Sequence, residues 1–130
     1  MQQIIKKFQQ LYLEVKKEKG ICYFFSAYKM DPYTQRWSLG IAAPWITAEN
    51  KKENFAYLAE KIKNLLSREE ISSIIRLGIF RSNHPFIQEI TTKIRLDSRD
   101  DKPLHLETIS ASGYKFYDAY IFAASQIEHD

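Results

Sequence analysis

Two charged residues lie inside runs of apolar residues, where an ionised side chain needs a partner. Asp118 occurs in YKFYDAYIFAA with the strand parity of four aromatic residues, Tyr114, Phe116, Tyr120 and Phe122. A carboxylate buried among rings must be paired or protonated. Arg76, in the middle of the apolar run IIRLGIF, poses the same problem with the opposite charge. We therefore expect Asp118 to meet Arg76 or a tyrosine hydroxyl, either as a structural pair or as a polar anchor within a ligand cleft.

Acidic residues of the predicted C-terminal hairpin suggest one enzymatic alternative. Metal-dependent hydrolysis of a phosphodiester needs two or three carboxylates, which hold a hard cation, beside a basic residue that grips phosphate. Glu107 and Asp118 can converge across this hairpin, with Lys115 or Arg81 as the basic residue. The sequence therefore makes Asp118 and Glu107 the candidate catalytic residues if the protein is an enzyme.

The motifs of other common enzyme classes are missing from the sequence. All four glycines are isolated, so neither a dinucleotide fingerprint nor a phosphate-binding loop can be assembled. The three histidines are far apart and lie near no spaced cysteine, and there is no Gly-x-Ser-x-Gly elbow. We therefore expect no cofactor and no metal site, and we favour a protein that is not an enzyme.

Length and composition are those of one globular domain spanning residues 1–130. Hydrophobic residues make up 45% of the chain and charged residues 27%, close to the globular average. No apolar run approaches the ~20 residues of a membrane-spanning helix. The single cysteine, Cys22, cannot form an intramolecular disulfide. The sequence predicts a cytoplasmic protein without a membrane partner.

The net charge of +3 is small and unevenly distributed. Residues 1–65 contain eleven Lys or Arg and six Asp or Glu, a balance of +5, whereas residues 66–130 contain eight and ten, a balance of −2. A basic half is compatible with an acidic partner, but dedicated nucleic-acid domains are usually more basic. Nucleic acid is therefore a partner that we do not favour, and its candidate contacts lie on the first helix, at Lys6, Lys7, Lys16 and Lys17.

Hydrophobic periodicity predicts the element order α-β-β-α-β-α-β-β. Helical spacing occurs in residues 2–17, 50–66 and 85–95, and strand patterns occur in residues 21–29, 37–43, 74–80, 104–109 and 114–124. Two β-α-β crossovers and two hairpins follow from this order. We predict an α/β fold in which one mixed five-stranded sheet carries three helices packed on it.

Cap and turn residues mark the ends of these elements. Asn50 has Glu53 three residues later, which is capping-box spacing, and Ser67 with Glu70 indicates a further short turn. Gly113 occupies the position in the final hairpin where a left-handed residue is needed.

The strand patterns also predict how the sheet is arranged. The apolar run at residues 74–80 favours a central strand buried on both faces, with the second, third and fourth strands as parallel neighbours. In the second strand, Ser38, Gly40 and Ala42 share one face and leave room for a close approach. The polar segment 96–103 is expected to be an exposed loop.

The carboxyl ends of parallel strands usually form the ligand crevice of an open sheet. Here those ends fall near residues 44–47, 81–85 and 110–113. The candidate ligand-binding residues are Trp45, Arg76, Arg81, His84 and Asp118. We expect a non-catalytic binding or assembly module, which contacts a protein partner or forms a homo-oligomer through an edge strand and exposed rings. The alternatives are a metal-dependent hydrolase or nuclease and a weak nucleic-acid binder.

Overall fold

A computed structural model describes residues 3–94 and 102–125. The helices are α1 (Gln3–Lys19), α2 (Lys51–Leu65), α3 (Arg68–Ser72) and α4 (Pro85–Lys93). The strands are β1 (Phe24–Lys29), β2 (Trp37–Ala42), β3 (Ile74–Ile79), β4 (Leu104–Ala111) and β5 (Tyr114–Ala124). The predicted α/β class and element order are confirmed, and the short α3 is a fourth helix. Most of the loop predicted at residues 96–103 lies outside the described residues.

The five strands form one mixed sheet in the order β3-β2-β1-β5-β4. Strands β2 and β3 are parallel, and the other neighbouring pairs are antiparallel. The central position of β3 and its predicted parallel pairing with β4 are therefore wrong. Strand β3 is at an edge, and its Ile75 is 59% exposed. An apolar run predicted the wrong position because β5, with buried residues on both of its faces, pairs with β1 and separates β4 from β3.

Helices α1 and α2 cover one face of the sheet. Apolar residues recur every three or four positions along α1, which buries one stripe of this helix, formed by Ile5, Phe8, Leu11, Tyr12 and Val15. The ring of Phe8 meets Trp37 of β2 edge-on, with 6.2 Å between ring centroids. Lys61 of α2 donates to Glu18 of α1 at 2.7 Å and links the two helices. Among the residues that the structure describes, no helix has both the length and the apolar character needed to cross a bilayer.

Helix α4 covers part of the opposite face. It buries Phe86, Ile87 and Ile90 in a core that also contains Phe24 of β1 and Phe116 of β5. The main strand contacts of α4 are with β4 and β5. The half of this face formed by β2 and β3 has a groove instead of a helix.

Two predicted helix caps have different outcomes. The box at Ser67 is formed, because Glu70 N donates to Ser67 Oγ at 3.2 Å and Ser67 N donates to Glu70 Oε1 at 2.8 Å. The box at Asn50 is not formed, although Asn50 is the residue that precedes α2. Its side chain accepts from Thr47 N at 2.7 Å and donates to Trp45 O at 3.0 Å, so the preceding turn uses the groups that a cap would need.

Replacing Ser67 by alanine tests the cap of α3. Ser67→Ala removes the side-chain acceptor for Glu70 N and should lower the free energy of unfolding by about 1 kcal/mol in a urea titration. Ser67→Gly is the matched control and should cost only a few tenths of a kcal/mol, because glycine leaves the helix end open to water. Equal losses for the two variants would show that the cap hydrogen bond contributes little.

Candidate functional site

Small residues form the floor of the groove on β2 and β3. Tyr28 of β1 is paired with Ser38 of β2, and Ser38 is paired in turn with Arg76 of β3. In the next row, Gly40 is paired with Gly78. Because pairs in register share a face of the sheet, these residues all lie on the side that carries α4. Next to Arg76, the floor is therefore formed by backbone without side chains, at the paired glycines of β2 and β3.

Two aromatic rings lie directly on this floor. A Cβ atom at Gly40 would be 3.0 Å from Tyr28 Cε1 and 3.0 Å from Phe80 Cε2, which is tighter than most real Cβ contacts. At Gly40 the close approach is therefore made by aromatic rings, whereas the small residues of this face predicted the approach of a helix or another backbone. Tyr28 also stacks on Phe116, with ring centroids 4.0 Å apart. These contacts fix the Tyr28 ring across the sheet.

Three connected cavities run along the floor and define the β2–β3 groove. The central cavity has a volume of about 530 Å³ and shares Arg81 and Lys51 with a second cavity of about 290 Å³ at the carboxyl ends of the strands. At the other end it shares Arg76 and Met30 with a third cavity of about 330 Å³. The central volume lies within the range of small-molecule sites.

Positive charge dominates the groove. Lys51, Arg76 and Arg81 line the central cavity, and Arg36 joins Arg76 in the third. Asp31 is the single acidic residue among the described residues that line the three cavities, and it lies in the third. In the described part of the chain none of the four cations forms a salt bridge. Among the described residues, the groove therefore has more positive than negative side chains, and its cations are not paired with an acidic one.

Two hydroxyl groups on the groove floor have no hydrogen-bond partner among the described residues, and one of them, Ser38 Oγ, is also a fully buried atom. Tyr28 is 2% exposed, and no hydrogen bond of its hydroxyl is found within residues 3–94 and 102–125. The Oγ atom of Ser38 is buried and likewise unpartnered. Burial raises the pKa of Tyr28 to about 12, and the nearby Arg76 acts in the opposite direction. Tyr28 is therefore a neutral donor at pH 7. Buried polar groups without partners are rare in proteins, so the Ser38 hydroxyl calls for an explanation.

The groove brings together three of the residues predicted to bind ligand. Arg76, Arg81 and His84 all line the central cavity. His84 is also the N-terminal cap of α4, because its Nδ1 accepts a hydrogen bond from Phe86 N at 3.1 Å. The smaller cavity contains Thr47 and Arg81, two of the loop ends expected to form the crevice. Residues 110–113 are not among its lining residues.

The structure places Trp45 outside the three cavities. Its indole Nε1 donates to Ile21 O at 3.0 Å, and the ring packs against the core below α1. Conversely, Lys51 and Arg36 line the groove without having been predicted. The sequence did contain an indication for Lys51. A cation in the first turn of a helix is disfavoured by the helix dipole, so a lysine at this position suggests a role other than helix stability.

The environment predicted for Asp118 is wrong. A β-bulge between β1 and β5 breaks the alternation, and Asp118 adopts a left-handed backbone with φ of 50°. The side chain is 43% exposed and contacts neither Arg76 nor a tyrosine hydroxyl. Its Oδ1 is 2.9 Å from His105 Nε2, and its Oδ2 accepts from Lys29 Nζ at 3.4 Å. The bond to His105 has the largest effect and lowers the pKa of Asp118, burial has the next largest and raises it, and the bond from Lys29 lowers it again, so the pKa lies below its ordinary value.

Asp118 belongs to a closed ring of contacts around a buried lysine. Lys29 is 7% exposed, and its ammonium lies 4.7 Å from the centre of the Trp37 ring. Tyr120 contacts Trp37 and stacks on His105, with ring planes only 4° apart. Because a buried ammonium needs an acidic partner, we interpret Asp118 as the counter-ion that Lys29 requires.

Glu107 is exposed on β4 and lies next to Asp118 by strand register. The carboxylate of Asp118 is already bonded to Lys29 and His105, and Lys115 lies 5.6 Å from the centre of the Tyr117 ring. Within the described ranges, no group of three or more His, Cys, Asp or Glu side chains could hold a metal ion.

Comparisons with known protein families, with curated proteins and with solved structures give no match to this chain. A function must therefore be argued from the charge, hydrogen-bonding groups and shape of the groove.

The pairing of Asp118 predicts a pH-dependent contribution to stability. Asp118→Asn should lower the free energy of unfolding at pH 7, because Lys29 loses its counter-ion. A lowered folded-state pKa means that this contribution is complete above the ordinary pKa of 3.8 and is lost as the pH falls below it. In urea titrations, the difference between wild type and Asp118→Asn should therefore be constant down to about pH 5 and shrink below it.

Glu107→Gln is the matched control for this experiment, because it removes a neighbouring exposed carboxylate that forms no ion pair in the described structure. Its effect on unfolding should be small at every pH. A difference for Asp118→Asn that is the same at pH 7 and pH 3 would contradict the ion-pair assignment.

Proposed function

We propose that the protein is a non-catalytic binding module that holds an anionic ligand in the β2–β3 groove. One observation carries the proposal: four cations that have no acidic partner among the described residues line connected cavities, which also contain two hydroxyls without a partner in that part of the chain. The buried hydroxyl of Ser38 needs an acceptor, and the four cations, which are exposed, need counter-charges that solvent ions or a ligand can supply. An anion with several oxygen atoms meets both needs.

The chemistry of the walls refines the ligand further. Arg76 and Arg81 can each offer two parallel N–H donors, a geometry that suits carboxylate and phosphate oxygens. The apolar part of the wall is aromatic, with Phe55 47% exposed and Tyr114 40% exposed beside Phe80. A ligand that combines negative charge with a flat apolar group uses both parts of the groove.

The polar groups of the groove support binding more than catalysis. Nucleophilic catalysis needs a base held against a hydroxyl or thiol. The Nδ1 atom of His84 is already used by the N–H of Phe86, and no hydrogen bond between His84 and a hydroxyl is found in the described residues. The alternative of a metal-dependent hydrolase relies on Asp118 and Glu107, and an ammonium and an imidazole already bind the first of these carboxylates.

Location in the cytoplasm is part of the same proposal. Cys22 is 4% exposed, and burial raises the pKa of its thiol to about 12. A protonated, buried thiol behaves as a small core residue and suits a compartment in which cysteines stay reduced.

Self-association through β3 is a second candidate function. Strand β3 has a strand neighbour on one side only, and its Ile75 is 59% exposed. An edge with an exposed apolar side chain can pair with the same edge of a second copy. Sedimentation velocity should then show a concentration-dependent dimer for the wild type and a monomer for Ile75→Lys. A wild-type monomer throughout the micromolar range would rule this candidate out.

Titration with pyrophosphate tests the binding module, because this small probe carries several phosphate oxygens and no apolar group. We expect binding at low salt with amide NMR shift changes around Gly40, Gly78 and Phe80. Arg76→Gln and Lys51→Gln should each weaken it about tenfold, the usual value of one hydrogen bond to a charged group. Tyr28→Phe removes the hydroxyl alone and should also weaken binding.

Lys52→Gln is the matched control for Lys51→Gln, because Lys52 is the exposed next residue and does not line the three cavities. It should bind pyrophosphate like the wild type. Absence of binding at low salt, or an equal loss for Lys51→Gln and Lys52→Gln, would refute the groove as an anion site.

A further inference from the structure

We propose that the ligand of the β2–β3 groove is single-stranded nucleic acid, with phosphates along the four cations and bases against the aromatic wall. This inference rests on the proposed function and specifies its ligand. The contacts differ from those expected on α1, where Lys7 is already paired with Glu70.

The spacing of the cations points to an extended ligand. Arg36 lines the third cavity but not the central one, and Arg81 lines the central and second cavities but not the third. Arg76 and Arg81 are five residues apart, which is about 16 Å along an extended chain. A single small anion cannot contact side chains at both ends of such a groove. A chain with negative charges at regular intervals can contact all four.

The aromatic wall distinguishes nucleic acid from other polyanions. Phe80, Phe55 and Tyr114 line the central cavity, as do three of the cations and the imidazole of His84. Sites for single strands combine a basic groove with rings on which bases stack, and they tolerate different sequences because every base has a flat face. An acidic peptide brings carboxylates but no ring at each unit, so it leaves the exposed faces of Phe55 and Tyr114 unused.

The depth of the donors disfavours a duplex. Tyr28 and Ser38 are 2% and 1% exposed, and both lie on the floor of the groove. A flexible single strand can turn a phosphate or a base edge toward the floor. The backbone of a duplex is held on the outside of a broad helix and reaches only the rim cations.

The experiment measures binding of a fluorescein-labelled ten-nucleotide oligothymidylate by anisotropy over a series of salt concentrations. Each phosphate contact in a single strand contributes a slope of about −0.7 to the plot of log K against log salt. Four contacts predict a slope of about −2.8, and Arg76→Gln should reduce its magnitude by about 0.7. Lys52→Gln should leave both the affinity and the slope unchanged.

A second variant separates stacking from charge. Phe55→Ala truncates an exposed ring in α2, so the fold should be retained, which a urea titration checks. This variant should weaken oligonucleotide binding severalfold at every salt concentration without changing the slope. It should leave pyrophosphate binding unchanged, because that probe has no ring.

The outcomes divide clearly. Single-strand binding with the stated slopes and the loss in Phe55→Ala supports the proposal. Three results would overturn it. They are tighter binding of the matching duplex, displacement by polyglutamate at a lower concentration than by oligothymidylate, and a salt slope that Arg76→Gln does not change. Pyrophosphate binding without oligonucleotide binding would overturn this inference and leave the proposed function standing. No binding of either probe would overturn both.

Discussion

The groove depends on the contact of two aromatic rings with a backbone that has no side chain. At Gly40 the rings of Tyr28 and Phe80 come within 3.0 Å of the position that a Cβ atom would take, so both pack close to the sheet. This contact directs the Tyr28 hydroxyl toward Gly78 and Arg76, and it keeps Phe80 beside the carboxyl ends of the parallel strands. Helix α4 can then cover the rest of this face without filling the half above β2 and β3. The cations line a cavity because the rings beneath them are packed so low.

The local elements of the fold were predictable, whereas the strand order was not. Periodicity and cap residues predicted the helices, the strands and the box at Ser67, because these depend on neighbours in sequence. Gly113 also has the predicted left-handed backbone, with φ of 82°. Strand order depends on which strands pair over long distances, and the apolar run of β3 is compatible with an edge or a centre. Asp118 was assigned to the wrong environment because a single bulge residue reverses the parity of its strand.

The candidate site was predictable in part. Arg76, Arg81 and His84 meet in the central cavity, and two of them follow the end of a parallel strand, where open sheets commonly bind ligands. Trp45 comes from the same rim, but its indole is held by Ile21 O and packs into the core. Arg36 and Lys51 were missed because the paths of the β1–β2 turn and the β2–α2 loop decide where their side chains lie. The sequence says little about the course of such loops; the lysine in the first turn of α2 is one weak indication.

The pairing of β1 with β5 has a consequence for the order of folding. These adjacent strands are far apart in sequence, and Ser26 Oγ bonds Tyr120 O across 94 positions. During synthesis, the hairpin of β1 and β2 emerges long before the strand that closes its open side. Closing so long a loop is slow, and an unpaired apolar strand is prone to aggregation until it is covered. Phe116, on which Tyr28 stacks, arrives with that late strand, so a nascent chain completes the β2–β3 groove only when β5 docks.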